Sequence, residues 1–141
     1  MRPLVIVDAA NVVGSVPDGW WRDRLGAARR LRDVLPSVAT AGLADLPGPV
    51  EVVLVVEGAA ADLAAEPAPD GVRVVAAPRT GSGDDAIVAL VVAAEDPATP
   101  WGQGRCVVVT ADRGLRERVS AHGARVVGPR ALPYPRPDSV P

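Results

Sequence analysis

Leu4-Val5-Ile6-Val7, closed by Asp8, sets four branched apolar residues in a row with no polar alternation. A strand with one wet face alternates. A run without alternation belongs to a strand covered on both faces, the habit of parallel sheets flanked by helices. Residues 52–56, 72–75, 106–110 and 125–127 read the same way, so five strands and a mainly parallel sheet are expected. Helical spacing fills the gaps. Trp21, Leu25, Ala28, Leu31 and Leu35 recur at three- and four-residue steps, predicting a helix over 20–35 with Pro36 as its stop. A short Ala-rich helix is expected over 59–65. Another is expected over 84–95, apolar nearly all round and therefore deeply packed, and a last one over 114–122 before Gly123. Strand and helix in alternation give an α/β fold, a three-layer α/β/α sandwich.

At 141 residues and 48% hydrophobic composition the chain can bury a full core as one domain. Residues 1–132 are assigned to it, and the proline-dense residues 133–141 to a flexible tail. A single Cys excludes an internal disulfide, no apolar run approaches the roughly 20 residues that span a bilayer, and no secretion signal opens the chain. A cytoplasmic protein without a membrane partner is the expectation.

In parallel sheets the site lies beyond the carboxyl ends of the strands, so the polar residues that close each strand matter most. Here they are acidic. Strand one ends at Asp8 with Asn11 three residues on, strand two at Glu57, strand three leads through Gly81-Ser82-Gly83 to Asp84-Asp85, and strand four ends at Asp112. Like charges gathered on one edge are costly unless a cation neutralises them, and all-oxygen donors suit Mg²⁺ or Mn²⁺. Each residue also has a plainer reading. Asp8, Asp84, Asp85 and Asp112 all stand where helix caps or acidic first turns stand, Asn11 is a common turn residue, and Glu57 could be a solvated strand end.

Other chemistry has little support. His122 is the sole His and reads as a helix-end contact, Cys106 as core; no nucleophile elbow is present, and the Gly81-Ser82-Gly83 stretch lacks the ending of a phosphate loop. All 15 cations are Arg, each a planar fork suited to phosphate. The net charge of −2 gives no general pull on nucleic acid, so polyanion binding would have to come from local clusters. Arg22, Arg29 and Arg30 on the first helix, with Arg79 and Arg113 beside the acidic edge, are the candidate RNA contacts. Trp20 or Trp21 is a candidate for base stacking.

Residues 5–14 (VIVDAANVVG), 83–88 (GDDAIV) and 107–113 (VVVTADR) together resemble the three signature segments of the NYN branch of PIN-like ribonucleases. The resemblance covers about the first 132 residues. It implies a PIN-like sheet of strand order 3-2-1-4-5 and Mg²⁺- or Mn²⁺-dependent cleavage of RNA in an acidic pocket. By position, Asp8, Asp84, Asp85 and Asp112 would be metal ligands, with Asn11 their polar companion and Arg113 beside the phosphate. Ala9 stands where the family often has Gly, and Ala111 where it often has a polar residue. The competing readings are a nucleotide phosphohydrolase on the same edge and a non-cleaving RNA- or protein-binding domain. A homodimer and an inhibitor protein both remain open as partners.

Overall fold

The computed structural model describes residues 2–78, 82–95 and 105–134. Its order is β1 (Leu4–Asp8), α1 (Ala9–Gly14), a 3-10 turn (Trp20–Arg22), α2 (Arg24–Ala41), β2 (Gly42–Leu43), β3 (Leu46–Pro47), β4 (Glu51–Val56), a 3-10 segment (Gly58–Ala65) and β5 (Val72–Ala76). Then follow α3 (Gly83–Ala94), β6 (Cys106–Val109), α4 (Arg113–Ser120), β7 (Arg125–Val127) and a last 3-10 turn (Pro129–Ala131). β2 and β3 form a small antiparallel hairpin; the other five strands form one sheet in the order β5-β4-β1-β6-β7. Every pairing in that sheet is parallel, with Val5 facing Val52 on one side and Val107 on the other. Counted within the sheet alone, this is the order 3-2-1-4-5.

Two apolar layers follow from the two-residue period of a strand. Val5, Val7, Val52, Leu54 and Val56 pack toward α1 and α2, with Leu31 and Leu35. Leu4, Ile6, Val53 and Val55 face the other way, against Ile87 and Val91 of α3 and Leu115 and Val119 of α4. The middle strand β1 is fully enclosed, as its unbroken apolar run requires.

Several elements depart from the sequence reading. Pro36 does not end a helix: α2 begins at Arg24, where Asp23 caps it by accepting from the Gly26 amide at 2.8 Å, and runs through Pro36 to Ala41. Burial of Val38 and Ala39 beyond the proline, with Leu35 just before it, outweighs the one backbone hydrogen bond that Pro36 cannot donate. The stop is Gly42 at φ +81, which turns the chain into the hairpin. Residues 58–65 wind as a 3-10 segment rather than an α-helix. The helix over 83–94 is not buried all round, because the sheet lies on one side of it only; Ile87, Val91 and Ala94 are covered while Val92 is exposed. α1, six residues long, was not legible as a helix. Gly123 takes φ +84 after α4, as expected of a glycine stop. Tyr134, placed by sequence in the flexible tail, is buried against the α1/α2 layer; residues 135–141 lie outside the described residues. No helix among the described residues is long and apolar enough to cross a membrane.

Candidate active site

With β4 and β6 flanking β1, their carboxyl ends deliver Glu57 and the Thr110-Ala111-Asp112 turn to either side of Asp8. Asp8 is 6% exposed. Its Oδ2 accepts from the Thr110 hydroxyl at 2.9 Å, and its Oδ1 accepts, at a long 3.5 Å, from the Asn11 amide at the start of α1. Asn11 in turn accepts from the Ala111 amide through Oδ1 at 2.7 Å, and the Thr110 oxygen accepts from the Asp112 amide at 3.1 Å. A short polar web thus ties the end of β1 to the turn after β6. Asp112 caps α4 by accepting from the Leu115 amide at 2.8 Å.

The fourth corner closes differently. The Glu57 carboxylate accepts from the Gly83 amide, holding the start of α3 against the end of β4. A Cβ at residue 83 would stand 2.6 Å from Glu57 Oε2, so glycine serves close approach here, a different role from the flexible lead-in that the sequence suggests. Ser82 caps α3, accepting from the Asp85 amide at 3.2 Å.

These placements set the charges. Burial pushes the Asp8 carboxyl up to about 6, and the negative Asp84 and Glu57 push in the same direction against the Thr110 and Asn11 hydrogen bonds. Asp84 is also raised, first by burial and then by Asp112 and Glu57. Asp85 behaves otherwise. Its carboxylate pairs with Arg118 of α4 at 3.0 Å, and that hydrogen bond lowers its pKa. The structure therefore brings Asp8, Asp84, Asp112 and Glu57 into one electrostatic group, with Asn11 beside them, while Asp85 points into an ion pair on the surface.

Thr110 was not singled out by sequence, although a polar residue closing an apolar strand beside an acid is a usable signal. It is 1% exposed and holds Asp8 and Asp112 at once. Thr110→Val should therefore raise the Asp8 pKa above its present value. A carboxyl-carbon NMR titration reads this, and an unmoved Asp8 midpoint would show that the hydroxyl is not restraining it.

The candidate RNA-binding arginines separate. Arg29 makes a two-pronged contact with Glu66, at 3.1 and 2.6 Å, and Arg32 adds a third bond at 3.0 Å. Their hydrogen bonds hold Glu66 down at about 2, and the cluster fastens α2 to the end of the 3-10 segment. Arg22 lies 5.9 Å over the Trp21 ring, and Arg30 stands near the Tyr134 phenol. Arg113 is exposed at the first position of α4 and makes no ion pair among the described residues. Arg79 falls outside the described residues. His122 pairs with Glu95 at 3.1 Å, where α3 and α4 end, away from the acidic edge. Cys106 is buried, which pushes its thiol up to about 11 and leaves it inert.

Among the described residues no three His, Cys, Asp or Glu side chains form a ready-made metal cage. The donor chemistry nonetheless fits a hard cation: the acids are all oxygen donors, and Asp8 and Asp84 are raised first by burial and then by the negative charge of neighbouring acids.

The parallel sheet in this order, with helices packed on both faces, defines an α/β fold. Two solved structures share it: Rae1 (YacP) from Bacillus subtilis, with a TM-score of 0.71 at 18% identity over 91% of this chain and 70% of that one; and a tryptophan-to-leucine mutant of the same protein, with a TM-score of 0.69 at 18% identity over 93% and 72%. At this identity the likeness is one of fold. No protein-family model matches the sequence, and no curated protein does.

Proposed function

We propose that this protein is a metal-dependent endoribonuclease of the cytoplasm, with residues 1–132 as its catalytic domain. The observation that carries the reading is the burial of Asp8 between like charges, its carboxyl held at about 6 by desolvation, Asp84 and Glu57. A structural cap needs no such neighbours, whereas a cation site does. The PIN-like sheet order and the similarity in fold to Rae1 are consistent with it.

Asp8, Asp84 and Asp112 would hold Mg²⁺ or Mn²⁺, with Glu57 at the margin; when bound, the ion supplies Lewis acidity toward the phosphate oxygens. The chain's own work is positioning. Thr110 and Asn11 fix the Asp8 carboxylate and the turn after β6, so that the acids converge before substrate arrives. Arg113, next to Asp112, is placed to hold a phosphate of the RNA backbone.

One test is RNA cleavage with Mn²⁺ or Mg²⁺ and with chelator: Asp112→Asn should lose at least about 100-fold in kcat if the acid serves the reacting phosphate. A second test needs no substrate. Mn²⁺ should raise Tm at pH 7 and much less at pH 5, where a protonated Asp8 is a poor ligand; an equal shift at both values would remove Asp8 from the ion's ligands. A third concerns Arg113→Ala, which should weaken RNA binding across sequences and reduce the slope of log K against log salt by about 1.

One observation favours a non-cleaving binding domain instead. Both Asp8 oxygens already have protein partners, and Asp112 is engaged as a cap. Absence of both cleavage and divalent affinity would select it.

A further inference from the structure

A cleft of about 480 Å³ opens beside the acidic edge, between α1, the start of α2, the 3-10 segment and the end of β5. This is within the range of small-ligand sites. Alanine is the commonest residue of its lining, contributed by α1, α2, the 3-10 segment and Ala77. Against these small residues stand Trp20, half-buried, and Arg24, whose guanidinium lies 5.2 Å over the Trp20 ring. The remaining charged groups of the lining are Glu57 and Asp62.

We propose that this cleft is a subsite for one unstacked guanine base of an RNA strand, packed against Trp20 and Arg24 and read at its edge by Glu57 and Asp62. A base is flat and apolar on its faces. Alanines offer a low surface with no rotamer entropy to lose, and an aromatic ring beside a guanidinium offers the stacking partners that bases use. The edge of the base decides which one fits. Ionised carboxylates only accept hydrogen bonds, so they favour a base that presents adjacent N–H donors. Guanine does so through N1–H and its 2-amino group, whereas uracil presents one N–H between two carbonyl oxygens that the carboxylates repel. Glu57 gives one oxygen to the Gly83 amide and keeps Oε1 without a partner among the described residues, and Asp62 has no partner among them. Arg24 balances one of the two negative charges of the lining. Glu57 also belongs to the acidic edge, so the subsite adjoins the place where a phosphate would react.

The inference deepens the ribonuclease reading and rests on it for the RNA strand. Binding of the labelled pentamers UUGUU and UUUUU, measured by anisotropy in chelator, tests it without turnover. The guanine-containing strand should bind roughly 10-fold tighter, in line with the strength of one stacked base. Trp20→Ala should erase that preference. So should Ala61→Leu, which fills the cleft while leaving the tryptophan in place, and Asp62→Asn should reduce it. Equal binding of the two pentamers by the unaltered chain, or a preference that survives both Trp20→Ala and Ala61→Leu, overturns the subsite. Guanine preference without cleavage in Mn²⁺ would retain the subsite and defeat the nuclease; cleavage without preference does the reverse.

Discussion

Asp8→Asn should abolish RNA cleavage and at the same time make the protein more stable at neutral pH. The loss follows from removing the carboxylate at the centre of the acidic group. The gain follows from linkage. The folded-state carboxyl titrates at about 6, against 3.8 for the free group. Between those values the folded chain holds a proton that the unfolded chain has released, so stability falls as pH rises from about 4 to about 6 and stays lower above it. The shift corresponds to about 3 kcal/mol at most, which the neutral amide recovers in part; a gain of 1–3 kcal/mol, or several degrees in Tm, is expected at pH 7. The Asn amide can still pair with Thr110. Denaturant melts of both proteins from pH 4 to 8 check this: the two curves should converge toward pH 4 and separate above 6. A variant less stable than the parent at pH 7 would mean that Asp8 is chiefly a structural cap.

The second large effect is structural. Gly42→Ala should cost more than about 3 kcal/mol, a sizeable part of the stability of a domain this size. Gly42 has φ +81, and an added Cβ would stand 2.0 Å from the Leu46 carbonyl oxygen and 2.5 Å from the Gly48 amide. These are backbone atoms that no side-chain rotation can move. The hairpin they belong to reverses the chain from α2 into β4, the strand that presents Glu57, so the loss should appear as a lowered denaturation midpoint and, near the melting range, as lost activity. Gly58→Ala makes the contrast: it too has positive φ, but a Cβ there meets nothing within 4 Å, and only the cost of the backbone conformation, about 1–2 kcal/mol, is expected.

The five strands were legible because enclosure on both faces leaves an unbroken mark, as in residues 4–7, whereas their order in the sheet was an expectation that the family resemblance implied. The placement of the acids was legible to the same depth. Asp8, Asp84 and Asp112 could be gathered on one edge because a parallel sheet points all its carboxyl ends the same way. Pro36 misled because its cost is local, while the burial that overrides it comes from the sheet beneath. Arg29 misled for a related reason: a cationic helix face looks open until Glu66, 37 residues away, closes on it. The same holds for Asp85, which sequence paired with Asp84 and the fold paired with Arg118, 33 residues on.

Pattern along the chain determined the α/β class, the strands and the acids that close them, because periodicity and strand-end position are properties of neighbouring residues. Only the tertiary structure decided which of those acids share a field, which arginines are spent on ion pairs and where the alanine-lined cleft opens beside Trp20. Those are matters of distance between remote segments, and a side chain's charge acts on whatever folding brings within a few ångströms of it.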